Sequence, residues 1–165
     1  MVLKTVVIDS LVFAGAANLY LFLMMITTSP RVWGYSDYPA TVKEKVPPPT
    51  RKEKLTAVLL GLPWAVFLLV YPFFATLRLR AALGGDFTYA VAFIHFFAMY
   101  QLAAVSDLVV LDWLIISKIT PRFVIIPGSE EADYKDFSRH YRGHARAALI
   151  MTGLALVFAA AVTIL

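Results

Sequence analysis

Cysteine is absent from this 165-residue chain, which removes disulfides, thiolate zinc sites, iron–sulfur clusters, thiol catalysis and covalent haem attachment together. Charge is scarce as well. Only 16% of residues are Asp, Glu, Lys or Arg, while 60% are hydrophobic and the mean hydropathy is +0.73, a balance far from that of soluble domains. No lysine lies inside a long apolar run, so a retinal Schiff base is excluded by chemistry. Paired intramembrane histidines for a bis-imidazole haem, phosphate- or dinucleotide-binding glycine loops and a G-x-S-x-G elbow are likewise missing. A chain this short cannot bury so much apolar surface inside itself, so lipid or other subunits must cover the excess.

What is present is a set of long apolar runs. Residues 5–28 form the first, broken by Asp9 and Asn18, and residues 55–77 form an uncharged second that contains Pro63 and Pro72. Residues 87–117 carry His95, Gln101, Asp107 and Asp112, and residues 147–165 reach the last residue without a charge. Each approaches or exceeds the ~20 residues that a bilayer crossing needs. Each must be helical, because hydrocarbon offers backbone amides no partners. The expected fold is therefore all-α: a single-domain integral membrane four-helix bundle. Pro63 and Pro72 should free carbonyls one turn earlier, to be satisfied by neighbouring helices or water. Small residues at Ala14, Gly15 and Asn18, and at Thr152, Ala155, Ala159 and Thr163, mark expected packing faces. The first run follows Lys4 but is too long for a secretory signal and reads as an uncleaved span.

Twelve of the fifteen basic residues fall in the loops 29–54 and 118–146, against Lys4, Arg78 and Arg80 elsewhere. The positive-inside bias places both long loops in the cytoplasm and both termini outside, in a multi-pass protein of the cell membrane. Net charge of +4 then reflects topology, with anionic headgroups as the partners of the basic loops and no nucleic acid. In the first loop, Pro47, Pro48 and Pro49 favour a stiff extended spacer before Arg51, Lys52 and Lys54. In the second, Pro121 and Pro127 bracket an extended Arg122–Ile126 piece. Ser129 then caps an expected amphipathic interfacial helix with an acidic first turn and a Tyr134, Phe137, Tyr141 stripe, running into the fourth span.

Chemistry has few places to reside. Asp136, His140 and His144 stand at i, i+4 and i+8 of that interfacial helix, a spacing that can hold a metal. Without a glutamate or thiolate the pattern has little specificity, so no metal is assigned. A charge at mid-bilayer costs at least ~2.5–3.5 kcal/mol, so Asp107 and Asp112 belong near the cytoplasmic mouth, where His140 could join them as acid–base groups. On an α-helical wheel Gln101 and Asp112 share one direction and Asp107 points away. Asp9 and His95 lie at similar depth near the outer face and could form a proton-sensitive pair, with Gln101 as a further polar candidate in that span.

The stretch Asp107–Leu114, the segment Pro121–Glu130 and Asp133–Phe137, together with Pro47–Lys54, resemble a group of uncharacterised small bacterial four-span membrane proteins, some loosely labelled permease. The resemblance implies a fold and no activity, and His144 falls outside its pattern. Three functions are consistent with these residues. One is a small-ligand-binding, transport or membrane-complex subunit that forms homo-oligomers or docks to a larger complex. Another is a membrane-embedded enzyme acting on a lipid-like substrate through Asp107, Asp112 and His140. The third is a proton-linked carrier using His95 and Asp9. No cofactor is indicated.

Overall fold

The computed structural model describes residues 2–165, which are overwhelmingly helical, with no strand among them. Helix α1 covers Val2–Thr27, and the first long loop holds two short helices, α2 (Pro30–Trp33) and α3 (Ala40–Lys45). Helix α4 runs from Arg51 to Leu83 and ends in a 3₁₀ turn, Gly84–Asp86. Helix α5, Tyr89–Ser106, passes directly into a π-helical segment, Asp107–Ile119. The second long loop contains one 3₁₀ turn, Glu131–Tyr134, before α6, Ser138–Ile164. Three stretches are long and apolar enough to cross a membrane: Val2–Thr27, Arg51–Asp86 and Glu131–Ile164.

The remaining long helix, α5, is the one most enclosed by the others. It buries Ala92, His95, Phe96, Met99, Tyr100 and Ala103, and packs against α1 on one side and α6 on the other. Phe13 of α1 anchors this core, with its ring 5.4 Å from Phe67, 5.6 Å from Tyr71 and 6.0 Å from Tyr100. The outward faces are apolar instead. Leu11, Leu19, Leu59, Leu62, Leu149 and Val157 are exposed along α1, α4 and α6, an arrangement that a water-soluble monomer does not tolerate over such an area. Ala14, Ala155 and Ala159 pack inward as their small size predicts, whereas Gly15 and Thr163 face outward.

Helix α4 begins four residues before the uncharged run because Thr50 and Glu53 form a capping box. The Thr50 hydroxyl accepts from the Glu53 amide, and the Glu53 carboxylate accepts from the Thr50 amide at 2.6 Å. Arg31 adds a 2.8 Å bond to Glu53 and donates to the Pro47 and Pro48 carbonyls, so the proline spacer is tied to α2. Both internal prolines are accommodated within a continuous helix. Near Pro63, Tyr20 of α1 donates to the Leu60 carbonyl at 2.7 Å, next to the Leu59 carbonyl whose helical donor the proline removes.

The two long loops pack on each other at one end of the helices. Tyr38 and Tyr134 are fully buried there, with ring centroids 4.8 Å apart. The Tyr38 hydroxyl donates to the Val124 carbonyl at 3.0 Å, and the Tyr134 hydroxyl accepts from the Ile126 amide at 2.8 Å. Burial pushes the Tyr38 phenol far above its usual range, reinforced by Tyr134 and by the charges of Asp112 and Asp37, so it stays a neutral donor. Lys45 bridges to Asp133 at 2.8 Å, which raises the lysine, and Arg139 donates to the Ser36 carbonyl.

This loop packing changes the expected second loop. Ser129 caps no helix: its hydroxyl bonds the Ile126 carbonyl and the Tyr134 hydroxyl, and Glu130 caps only the single 3₁₀ turn. Tyr134 is drawn into the loop core, so the stripe Tyr134, Phe137, Tyr141 does not form, and regular helix starts at Ser138, whose amide is taken by Asp136. Gly34 is needed for the same packing, since a Cβ there would lie against the buried Tyr38 ring. Gly34→Ala is therefore expected to cost about 1–3 kcal/mol by overpacking, read as a lowered unfolding midpoint in one fixed detergent.

Candidate functional site

The π-helical segment builds the chemically richest part of the molecule. Its hydrogen bonds run to the fifth residue back, as in Thr120 N to the Ile115 carbonyl at 2.8 Å, so residues five apart come together along the axis. Asp107 and Asp112 are five apart. The α-helical wheel separates them, and the wider winding instead brings both to the wall facing α6. Thr120 ends the segment in the left-handed region at φ 47°, a conformation that a β-branched residue holds only under constraint. Its hydroxyl donates to the Ile116 carbonyl at 2.7 Å and accepts from Lys135 at 2.9 Å.

From α6, His140 and His144 project one turn apart onto the same carboxylate oxygen. His140 Nδ1 and His144 Nε2 each lie 2.9 Å from Asp112 Oδ2, while Asp107 Oδ2 is 3.7 Å from His144 Nε2. Asp112 is an acceptor when ionised, so the network assigns N–H to both facing imidazole nitrogens. His140 Nε2 is then left buried with no hydrogen-bond partner, and the Trp33 indole N–H nearby is also unpaired. A carboxylate that orients an imidazole in this way fixes its tautomer and the direction of its ring.

A cavity of ≈350 Å³ opens beside this cluster, between the end of α1, the α2 loop, the π-helical wall and the start of α6. Asp107, Asp112, His140 and His144 are among its polar lining residues, and Leu21, Met24, Leu111 and Ile116 among its apolar ones. Its size falls in the range of small-molecule sites.

A second polar cluster lies toward the other end of the helices. Asp9 Oδ1 accepts from Arg78 at 2.6 Å, and Asp9 Oδ2 stands 3.2 Å from His95 Nε2. The Thr76 hydroxyl donates to the Pro72 carbonyl at 2.8 Å, so it accepts from His95 Nδ1 at 3.1 Å. That leaves His95 Nε2 and Asp9 Oδ2 as two facing acceptors, neither with a hydrogen-bond partner. His95 is fully buried, whereas the Arg78 side chain remains largely exposed.

The expected groupings are thus met unevenly. Asp107, Asp112 and His140 come together, and Asp9 meets His95. Gln101 belongs to neither cluster: it donates to the Ala148 carbonyl and to Thr152, joining α5 to α6. Asp136 lies before the first turn of α6 and bonds Ser138, so the three-residue metal face does not exist. No group of three or more His, Asp or Glu among the described residues is arranged to hold a metal ion. His144, which fell outside the resemblance pattern, shares the Asp112 oxygen equally with His140.

The residues not anticipated are Arg78, Thr76, Trp33 and Tyr38. Arg78 had a readable signal: a carboxylate buried near one end of the first span needs a counter-charge at the same depth, and Arg78 sits one residue beyond the second span. Compared with protein-family models, with curated proteins and with solved structures, the chain matches none.

Proposed function

We propose that this chain is a multi-pass integral membrane protein whose α1, α4, α5 with its π-helical extension, and α6 cross the bilayer as a four-helix bundle, and that it binds a small amphipathic ligand in the loop-end cavity. The observation that carries the reading is the cavity's mixed lining, in which acid–base groups held at 2.9 Å from one another stand among Leu, Met and Ile side chains. The twelve basic residues at the loop end support a cytoplasmic position for both loops, with Arg51, Lys52 and Lys54 among anionic headgroups and both termini outside. The exposed first turns of α6 then lie at the interface. Helix α4, with Leu55, Val58, Leu59 and Leu62 all exposed, offers a face to lipid or to a second copy.

One observation favours an enzymatic variant of the same site. The Asp112–His140 pair leaves Nε2 unbonded, as a general base for a lipid-like substrate requires. His140→Gln would then change the lipid profile of the host membrane, whereas a binding or transport role leaves it unchanged.

The absence of cysteine makes the topology directly testable. Single cysteines at Ser36, Pro127 and Gly85 are introduced into intact cells and exposed to a membrane-impermeant maleimide. Gly85→Cys is expected to label at once, and Ser36→Cys and Pro127→Cys only after permeabilisation. Labelling of either loop position from outside rejects the orientation, and labelling of the two loops from opposite faces rejects the bundle.

A further inference from the structure

We propose that the loop-end cavity is a site for a lipophilic organic cation, an ammonium group on a short apolar body, with Asp107 as its counter-charge. This rests on the cavity being a ligand site and adds the chemical class of the ligand.

The charge of the lining is opposite to that of the chain. The protein carries +4 overall, yet the cavity is lined by Asp37, Asp107 and Asp112 against one permanent cation, Arg139, whose guanidinium is turned to the Ser36 carbonyl. Asp112 is engaged by two imidazoles. Asp107 accepts no hydrogen bond, its nearest cationic partner being His144 at 3.7 Å, and Asp112 and Asp37 both act on it with like charge. A carboxylate so placed without a bonded partner must take up a proton or gain a counter-charge, and an arriving cation supplies the second.

His140 supplies an independent observation. It is about 95% buried, lines the same cavity, and spends Nδ1–H on Asp112, so its unpartnered Nε2 is an acceptor. Two acceptors therefore await a donor. An ammonium group brings N–H donors and positive charge together, whereas an anion would meet three carboxylates. The Trp33 ring contributes an aromatic wall suited to a cation, and Met24 and Met25 give an adaptable apolar lining for the body of the ligand.

The test uses the full chain in lipid nanodiscs at neutral pH and three matched probes: 3-phenylpropylamine, 3-phenylpropanol and 3-phenylpropanoic acid. Binding is measured by equilibrium dialysis, and the specific part is the portion removed by Gly143→Leu. Gly143 lines the cavity, and a Cβ added there meets no atom within 4 Å, so the substitution can be introduced at the wall. The amine is expected to bind at least tenfold more tightly than the alcohol, and the acid least. Asp107→Asn is expected to bring the amine to the level of the alcohol; because Asp107 makes no hydrogen bond within the protein, its amide variant keeps the fold. Equal binding of amine and alcohol, tighter binding of the acid, or an amine preference that survives Asp107→Asn would overturn the cation assignment while the cavity stands as a ligand site. Absence of any Gly143→Leu-sensitive binding rejects both readings.

Discussion

Asp112→Ala is expected to destabilise the protein by about 3–5 kcal/mol, the loss of two hydrogen bonds to one carboxylate at roughly 1.5–3 kcal/mol each. The size follows from the geometry. A single oxygen receives both His140 Nδ1 and His144 Nε2 at 2.9 Å, and the His140 side chain is almost wholly buried, so that imidazole cannot turn to water for a replacement. Asp112→Asn keeps one acceptor oxygen and should lose roughly half as much. Because the three side chains act as a unit, the double variant Asp112→Ala/His140→Ala should be less destabilised than the sum of the singles, with a coupling of about 0.5–3 kcal/mol. Denaturant unfolding in one detergent measures all four species. A loss below about 1 kcal/mol for Asp112→Ala, or strict additivity, would show that water or lipid headgroups already serve these imidazoles.

The second large effect belongs to Tyr38. It is completely buried between the two loops, edge-on to both Trp33 and Tyr134, and its hydroxyl is bonded to the Val124 carbonyl. Tyr38→Ala removes an aromatic core side chain, for which about 3–5 kcal/mol is expected. Tyr38→Phe keeps the ring and strands one carbonyl, for about 1 kcal/mol. The two variants differ in a further respect. Tyr38 also lines the cavity, so the alanine variant enlarges it and should weaken ligand discrimination, while the phenylalanine variant leaves its shape intact. Equal losses from both substitutions would place the stabilisation in the hydrogen bond, and no loss from either would mean that the loops are held together by other contacts.

Much of the helical plan was legible because hydropathy reports burial in lipid directly. The run 5–28 corresponds to α1 at Val2–Thr27 and the run 55–77 to the interior of α4. The polar start of α4 was hidden from hydropathy, although Thr50 and Glu53 stand at capping-box spacing and could have extended it. The meeting of Asp9 with His95 followed from depth alone. Depth also put Asp107 and Asp112 at the same end, but not on one face, because the shift from fourth-residue to fifth-residue hydrogen bonding has no side-chain signature and turns the helical wheel by an amount no periodicity count reveals. The second loop misled for a different reason. Its acidic turn and aromatic spacing read as an amphipathic helix, but Tyr134 finds a better partner in Tyr38, ninety-six residues earlier, and long-range packing outweighs local propensity.

The thirteen-residue π-helical stretch also means that the gap between the two carboxylates is governed by main-chain coiling and not by rotamer choice. Were these residues to rewind to the tighter α form, Asp107 would swing around the axis away from Asp112 while both kept their side-chain torsions. Acidity at the mouth of this protein is thus geared to the pitch of its own backbone.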